Sequence, residues 1–336
     1  MTYVVADVGG TKTLIAIARC DSGNWKLEQK TRMISRDYPS AEAMIENWVQ
    51  GLGSRNEPWA GIGIALAGPV HSIAGRTSGR ATNLDWPELC SRDLARRFNA
   101  PTVLVNDFAA IGASLDALGP VDTVLLQAGN IDARGLRLVV GAGTGLGTCL
   151  VGPPPDSLLF DGEGGHADFA PADNWQAGLA EWVRRREGRC SREHLLSGRG
   201  IARIGTYLQA RSHDPALAEA LCEADPAAAI DALAKRGNTE ALQVVRRFVS
   251  IYAGQLSNLA LGALPRGGVY IAGGIAPRWR NHFQGPEFIR AFRDKAPMQK
   301  LLDTLHLSLI VHPEPGLLGA AVAVQRAVES FGESRA

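Results

Sequence analysis

An asparagine and an aspartate stand side by side where an apolar run of the chain ends. Asn106 and Asp107 follow residues 102–105, which have the short, β-branched composition of a buried strand, and they precede apolar residues at helical spacing. A carboxylate at the start of a helix faces the positive end of the helix dipole, which favours its ionised form. Polar groups at the carboxyl end of such a strand commonly bind ligands in α/β proteins. The pair therefore predicts a ligand site, with simple helix capping by Asp107 as the alternative.

A glycine-rich loop further along the chain carries a second polar pair. Glu163 and His166 are three positions apart within residues 161–169. A sugar needs paired hydrogen-bond donors and acceptors, and glutamate accepts while histidine can do either. A polyhydroxy ligand is therefore favoured over a metal, since one histidine without a partner pattern is a weak metal site; a hydrogen-bonded structural loop is the other alternative. Pattern alone predicts a structural role for Glu193, as the third residue of a helix start or as a cap.

Two glycine-threonine loops, residues 7–13 and 141–147, begin 134 positions apart. Each lies between two short apolar runs that turn signals end, so each is predicted to be the tip of a β-hairpin. Bare backbone N–H groups and a threonine hydroxyl suit phosphate oxygens. Two such hairpins can hold the phosphates of a nucleotide, whereas an ordinary hairpin needs glycine only for its positive φ.

Other glycine motifs do not fit these loops. The chain has no Gly-Lys pair, which a Walker loop requires, and no H-R-D or D-F-G of a protein kinase. A dinucleotide fingerprint needs glycine at its sixth position, where the second loop has Leu146 or Thr148. Neither loop is predicted to open a helix.

Composition is ordinary for a protein with large cores. The 336 residues are 46% hydrophobic and 21% charged, with a net charge of +1, so nothing indicates a nucleic-acid or membrane partner. No apolar run reaches 18 residues. The five dispersed cysteines predict free thiols in a reducing cytosol, and the chain enters its first strand without a targeting pattern, so we expect a cytoplasmic protein.

The remaining pattern predicts two similar halves. Each half has a glycine hairpin, further strands and helices, and an apolar strand that ends at glycine, which indicates a weak internal duplication and an α/β fold of two lobes with mixed sheets and a cleft. Residues 71–86 are expected to be a loop, Ser91 to cap a short basic helix, and residues 192–210 to form one helix. The other expected elements are a helix after Ser40, strands at 61–67 and 268–272, and helices at 176–187, 239–262 and 317–330.

The order of these segments resembles the bacterial glucokinase family, within the sugar kinase, Hsp70 and actin superfamily. The resemblance covers nearly the whole chain, and the block of residues 162–171 is its most specific part. Its anchors are residues 7–11, 66–69, 82–83 with Trp86, 105–108, 141–147, 162–171, 196–198, 271–275 and 315–319.

The resemblance implies a two-lobed actin-like, ribonuclease H-like sugar kinase fold with mixed sheets and an interdomain cleft. The small α/β domain would comprise residues 1–116 plus 313–336, and the large one residues 117–312. Asp107 would be the catalytic base. The implied sugar ligands are Asn83, Asn106, Asp107, Glu163, His166 and Glu193, which reverses the structural interpretation of Glu193. The implied ATP-binding residues are Ala6, Asp7, Val8, Gly9, Gly10 and Thr11, with Gly143, Thr144 and Gly145 at the phosphates and Gly273 and Gly274 on the adenosine side.

The implied reaction is ATP-dependent phosphorylation of glucose at O6 in glycolysis, by a cytoplasmic homodimer. Mg²⁺ would be held mostly by ATP phosphates and waters, without a metal site of the protein's own, and sugar binding would close the lobes. Lys12 departs from the asparagine common at that position. The zinc motif of the neighbouring ROK kinases is absent, and no helix-turn-helix precedes the first strand. A kinase for mannose, glucosamine or N-acetylglucosamine, or a sugar-sensing regulator, are the alternatives.

Overall fold

A computed structural model describes residues 1–53, 58–73 and 76–333 of the chain. The chain folds into two compact units, of which the first comprises Met1–Asp122 with His312–Ala336 and the second comprises Thr123–Val311. Each unit has a mixed β-sheet as its main layer.

The strands are β1 (Thr2–Val8), β2 (Lys12–Asp21), β3 (Asn24–Ile34), β4 (Gly61–Leu66), β5 (Val70–Ile73), β6 (Arg76–Gly79), β7 (Leu89–Cys90), β8 (Thr102–Asn106), β9 (Thr123–Gln127), β10 (Arg137–Ala142), β11 (Leu146–Val151), β12 (Leu159–Gly162), β13 (Gly268–Ala272) and β14 (Leu307–Ile310). The α-helices are α1 (Ala41–Gly51), α2 (Ser91–Phe98), α3 (Asp107–Ser114), α4 (Asn174–Glu187), α5 (Arg192–Leu195), α6 (Gly198–Ser212), α7 (Pro215–Leu221), α8 (Pro226–Lys235), α9 (Thr239–Ala263), α10 (Ile275–Arg278), α11 (Arg280–Phe283), α12 (Pro286–Arg293), α13 (Gln299–Asp303) and α14 (Pro315–Glu333).

The sheet of the first unit has the order β3-β2-β1-β4-β8. Successive side chains of a strand point to opposite faces, and β1 is covered on both. Val4, Ala6 and Val8 pack in a cluster with α1, while Tyr3 and Val5 pack in another with α14. This double burial explains why β1 is apolar without alternation.

The sheet of the second unit has the order β12-β11-β10-β13-β14-β9. The long helix α9 packs in the apolar core of this unit, and its Tyr252 hydroxyl donates a 3.0 Å hydrogen bond to the carbonyl of Val140 in β10. Burial of the ring and a satisfied hydroxyl together fix the helix against the strand that leads into the second glycine loop.

Both units build their glycine hairpin in the same way. β1 pairs antiparallel with β2 and parallel with β4, and β10 pairs antiparallel with β11 and parallel with β13. The parallel neighbour is closely followed by a glycine in each case, Gly68 after β4 and Gly273 after β13. The predicted hairpins and the predicted α/β class with mixed sheets are confirmed.

Three local predictions were wrong. Residues 71–86 are not all loop, because β5 and β6 pair there in a small sheet with β7. Ser91 does not cap α2 but is its first residue, and its hydroxyl instead accepts from the amide of Thr77 in β6, at 3.3 Å. The helix expected over 192–210 is two helices, since the Ser197 hydroxyl accepts from the Gly200 amide and begins α6 afresh.

Candidate active site

The first glycine hairpin packs directly against a predicted sugar ligand. A Cβ added to Gly10 would lie only 2.5 Å from the Cβ of Asn83. No real side chain fits at that distance, so glycine is needed at this position because Asn83 occupies the space. The amide of Gly9 donates to the carbonyl of Lys12 at 3.0 Å and closes the turn.

Ser35 is hydrogen-bonded to the first hairpin at several points. The sequence pattern did not indicate this residue. Its hydroxyl donates a 2.7 Å hydrogen bond to the Gly9 carbonyl and lies 3.0 Å from the hydroxyl of Thr13. Its amide donates to the carbonyl of Thr11. The Ser35 side chain is fully buried, so these bonds replace water and fix the hairpin in one position.

Asp7 lies near the end of β1 and places a carboxylate beside the same hairpin. It lies against the first turn of α14, where a Cβ on Gly316 would be 2.6 Å from its Oδ2 atom. Burial and the negative charge of Asp107 raise the pKa of Asp7 to about 6, while Lys12 counteracts them. The negative charge of Asp107 therefore disfavours ionisation of Asp7.

Asn106, not Asp107, caps helix α3. The Asn106 Oδ1 atom accepts from the amides of Phe108 and Ala109 at 2.9 and 3.2 Å, and its Nδ2 atom donates to the Gly68 carbonyl at 3.1 Å. Asp107 is the first helical residue, and its Oδ1 atom accepts from the Phe108 amide at 3.0 Å. Capping, the alternative role considered for Asp107, is thus performed by Asn106. The Asp107 carboxylate lies in the first turn of the helix.

The second glycine hairpin packs against another predicted sugar ligand. The Oε2 atom of Glu193 accepts a 3.0 Å hydrogen bond from the Leu146 amide. A Cβ on Gly145 would lie 2.6 Å from the same oxygen. The Gly198 amide also donates to the Gly143 carbonyl at 2.9 Å. The predicted phosphate loop and the predicted sugar ligand are therefore in contact within this unit.

Glu193 is oriented by the short helix α5, whose N-terminus is capped by Ser191 and His194. The Nδ1 atom of His194 accepts from the Ser191 amide at 2.9 Å, while the Ser191 hydroxyl accepts from the His194 amide, forming a capping box around α5. The Nε2 atom of His194 lies 3.3 Å from a carboxylate oxygen of Glu187. Glu193 is the second residue of α5, neither its third residue nor its cap, and His194 was missed by the sequence analysis.

The loop with Glu163 and His166 packs on the other side of Leu146. A Cβ on Gly165 would lie 2.1 Å from the Leu146 carbonyl oxygen, and the Gly164 carbonyl accepts from the Arg192 guanidinium at 3.0 Å. The Nε2 atom of His166 is 3.7 Å from a carboxylate oxygen of Glu163, and both side chains are exposed. The structure thus brings Glu163 and His166 into one loop anchored beside the second hairpin.

Gly273 lies against the strand that leads into the second hairpin. Its φ is +83°, and a Cβ there would be 2.4 Å from the Ala142 carbonyl oxygen, so both the backbone conformation and the space require glycine. A Cβ on Gly274 would have nothing within 4 Å. Within residues 1–53, 58–73 and 76–333, no group of three His, Cys, Asp or Glu side chains could hold a metal, and no helix is long and apolar enough to span a membrane.

Comparisons with known proteins identify the family of this chain. A family model described as Glucokinase matches residues 4–327. The glucokinase of Synechocystis sp. is 34% identical, with 96% of this chain and 97% of that protein covered. The crystal structure of a glucokinase from an Antarctic psychrotroph has a TM-score of 0.82 at 25% identity, covering 97% and 99% of the two chains.

A ROK family glucokinase from Streptomyces griseus, solved in complex with glucose and AMPPNP, shares the fold at 18% identity with a TM-score of 0.66, covering 97% of this chain and 100% of that chain. The architecture is that of the actin-like sugar kinases, as predicted. Within that class, the chain belongs to the glucokinase family and is a kinase enzyme.

Proposed function

We propose that the protein phosphorylates D-glucose at O6 with ATP, giving glucose 6-phosphate and ADP. The observation that carries the proposal is that each glycine hairpin touches a predicted sugar ligand, Gly10 with Asn83 and Gly145 with Glu193. Within each unit, residues predicted to bind the sugar are therefore neighbours of residues predicted to bind phosphates. A fold relative in complex with glucose and AMPPNP, an ATP analogue, supports the same pair of substrates.

In this proposal the sugar hydroxyls are bound by amide, carboxylate and imidazole groups. Asn83 and Asn106 are the amides of the first unit, while Glu163, His166 and Glu193 offer carboxylate and imidazole groups of the second. Carboxylates and amides together can satisfy hydroxyl donors and acceptors around a pyranose ring. Because Asn106 already caps α3, any sugar bond it makes would leave the helix start fixed.

Asp107 would act as the general base. It would accept the O6 proton while O6 forms a bond to the γ-phosphorus and the bond from that phosphorus to the bridging oxygen of ADP breaks. A positioned base contributes about 10²–10⁴-fold to such a step, and alignment of the reactants supplies much of the rest. The Asn106 cap fixes the start of α3 and would in this way help to align Asp107 with the reacting groups.

The phosphate groups would lie against the glycine hairpins, with residues 6–11 and 143–145 supplying amide and hydroxyl donors. Gly273 and Gly274 would face the adenosine side. Mg²⁺ supplies charge neutralisation of the phosphates when bound with ATP. The Asp7 carboxylate at the first hairpin is an oxygen donor suited to that hard cation, and the described residues hold no larger acidic cage.

The first test is ADP release from MgATP with glucose, mannose, glucosamine and N-acetylglucosamine, beside a no-sugar control. We expect glucose-dependent turnover that falls by about 10²-fold or more in Asp107→Asn. Asp37→Asn makes the same chemical change at an exposed residue of the first unit and should leave turnover unchanged.

Turnover with another hexose alone would replace the substrate but keep the mechanism. Absence of any sugar-dependent turnover would overturn the proposed function. Equal losses in Asp107→Asn and Asp37→Asn would overturn the assignment of the base. The family also leads us to propose a homodimer, which light scattering would test.

A further inference from the structure

The negatively charged carboxylate of Glu193 lies against the second hairpin, where it would repel a phosphate group. Glu193 contacts both Gly145 and Leu146 through one carboxylate oxygen. Residues 141–147 contain no lysine, arginine or histidine, whereas Lys12 follows Thr11 in the first hairpin. Phosphate oxygens placed at the second hairpin would be repelled by the Glu193 carboxylate, so a cation is needed close by.

The guanidinium of Arg199 is a positive charge close to Glu193. Its Nη2 atom lies 3.6 Å from the Oε1 atom of Glu193, and its side chain is 70% exposed. It is the second residue of α6, directly after Gly198, whose amide is bonded to the Gly143 carbonyl. The guanidinium therefore starts from a backbone segment that is hydrogen-bonded to the hairpin itself.

The pairing of Arg199 with Glu193 does not by itself explain the arginine. A separation of 3.6 Å is longer than a hydrogen bond, and an ion pair with one strongly exposed partner contributes little to stability. A positive charge in the first turn of a helix is also opposed by the helix dipole. Residues that break a local rule in this way are found preferentially at functional sites.

We propose that Arg199 binds the phosphate chain of the nucleotide at the second hairpin, offsetting the charge of Glu193. The guanidinium has five donors in a planar fork that matches two phosphate oxygens at once, and it is always charged. The proposal rests on the proposed function in one respect, namely that the donor substrate is a nucleotide with its phosphates at residues 143–145.

The test is the binding of AMPPNP to wild type, Arg199→Gln and Arg199→Lys, measured by calorimetry with and without glucose. We expect Arg199→Gln to weaken analogue binding about tenfold, the loss typical of a charge-assisted hydrogen bond, and Arg199→Lys to lose less. The KM for glucose should stay within about twofold, since Arg199 meets the phosphates and not the sugar. Arg236→Gln, at an exposed arginine beyond the end of α8, is the matched control and should bind like wild type.

Two results would overturn the proposal. One is analogue binding by Arg199→Gln equal to that of Arg236→Gln. The other is a raised KM for glucose with unchanged analogue affinity, which would mean that Arg199 serves only to orient Glu193. Thermal melting of each variant establishes that it is folded, and Arg199→Lys, which keeps the charge, is the second probe if the glutamine variant unfolds.

The proposal and the proposed function fail in different ways. A wild-type protein that binds the analogue but phosphorylates no hexose would refute the proposed function and still allow the comparison of the arginine variants. A wild-type protein that does not bind the analogue would refute both.

Discussion

Glu193 and Leu146 are joined by a 3.0 Å hydrogen bond from the backbone amide of Leu146 to the carboxylate of Glu193. The bond links a side chain expected to hold a sugar to the tip of a hairpin expected to hold phosphates. A similar contact occurs in the first unit, where Asn83 fills the space beside Gly10. Each hairpin is therefore positioned partly by a residue proposed to bind the other substrate.

Gly145→Ala should separate Glu193 from the second hairpin. The new Cβ would lie 2.6 Å from the Glu193 oxygen, so the carboxylate or the hairpin must move, at a cost of about 1–3 kcal/mol in the free energy of unfolding. We expect the KM for glucose to rise about tenfold in a hexose kinase assay, since a displaced charged hydrogen-bond partner costs about that much.

Gly262→Ala is the control for that variant. Gly262 is an exposed residue within α9, and a Cβ there would have nothing within 4 Å. It should leave the KM for glucose unchanged and stabilise the fold by about 0.5–1 kcal/mol. An unchanged glucose KM in Gly145→Ala would show that the contact with Glu193 does not matter for the sugar.

Asp7→Asn should stabilise the protein while lowering its activity. Because burial and the Asp107 charge raise the Asp7 pKa to about 6, the folded state holds a proton that the unfolded state has already released. Stability therefore falls as pH rises from about 4 to above 6, and the ionised carboxylate costs up to about 3 kcal/mol at pH 7. Asparagine removes that cost.

Chemical denaturation at pH 7 and pH 5 checks this expectation. Asp7→Asn should be more stable than wild type at pH 7, with a smaller difference at pH 5, and its turnover should drop because the hairpin loses the negative charge that would attract Mg²⁺. A variant less stable than wild type at pH 7 would contradict the effect of burial on Asp7.

His194 should make the second unit sensitive to acid. Burial lowers the pKa of His194; Glu187 and Glu193 oppose the shift while Arg203 and Arg189 add to it. Its Nδ1 atom must be unprotonated to accept from the Ser191 amide. The folded state therefore binds fewer protons than the unfolded state as pH falls below about 6.5, and stability should be lost in that range.

His194→Gln tests whether titration of His194 causes the loss of stability in acid. Glutamine at this position completes a capping box without titrating, so stability should become flatter between pH 7 and pH 5.5. His194→Leu should lose about 1 kcal/mol at both pH values. If wild type and His194→Gln show the same pH dependence in urea melts, the acid sensitivity lies elsewhere.

Ser35→Ala should loosen the first hairpin. The buried hydroxyl donates to the Gly9 carbonyl and contacts Thr13, and its removal takes a donor from this partly buried carbonyl, at about 0.5–1.5 kcal/mol. We expect the KM for ATP to rise more than the KM for glucose. Ser212→Ala, at an exposed serine ending α6, is the control, and equal KM values for ATP in both variants would refute a positioning role.

Sequence patterns predicted the elements whose causes are local. The hairpins follow from apolar runs interrupted by glycines, and α1 follows from Ser40, whose hydroxyl accepts from the Ala43 amide. The short strands β5 and β6 were not predicted because the residues of β5 are mostly exposed and those of β6 are mostly polar, without the alternation that marks a half-buried strand.

The candidate site could be predicted only in part, because several roles depend on contacts between distant segments. Glu193 and Leu146 are 47 positions apart, and Ser35 and Gly9 are 26 apart. The pattern around Glu193 therefore indicates only an ordinary helix start or capping residue. The family resemblance supplied the sugar role of Glu193, whereas nothing in the sequence indicated Ser35 or His194.

The packing around Leu146 bears on any attempt to redesign hexose selectivity. The Glu193 carboxylate accepts from the Leu146 amide, and Gly165 lies against the Leu146 carbonyl, so main-chain atoms of Leu146 contact both segments that carry the proposed sugar ligands of this unit. If Glu163 and His166 bind the sugar as proposed, libraries that vary these two residues should leave Gly145 and Gly165 unchanged, because both glycines lie in tight contacts of this packing.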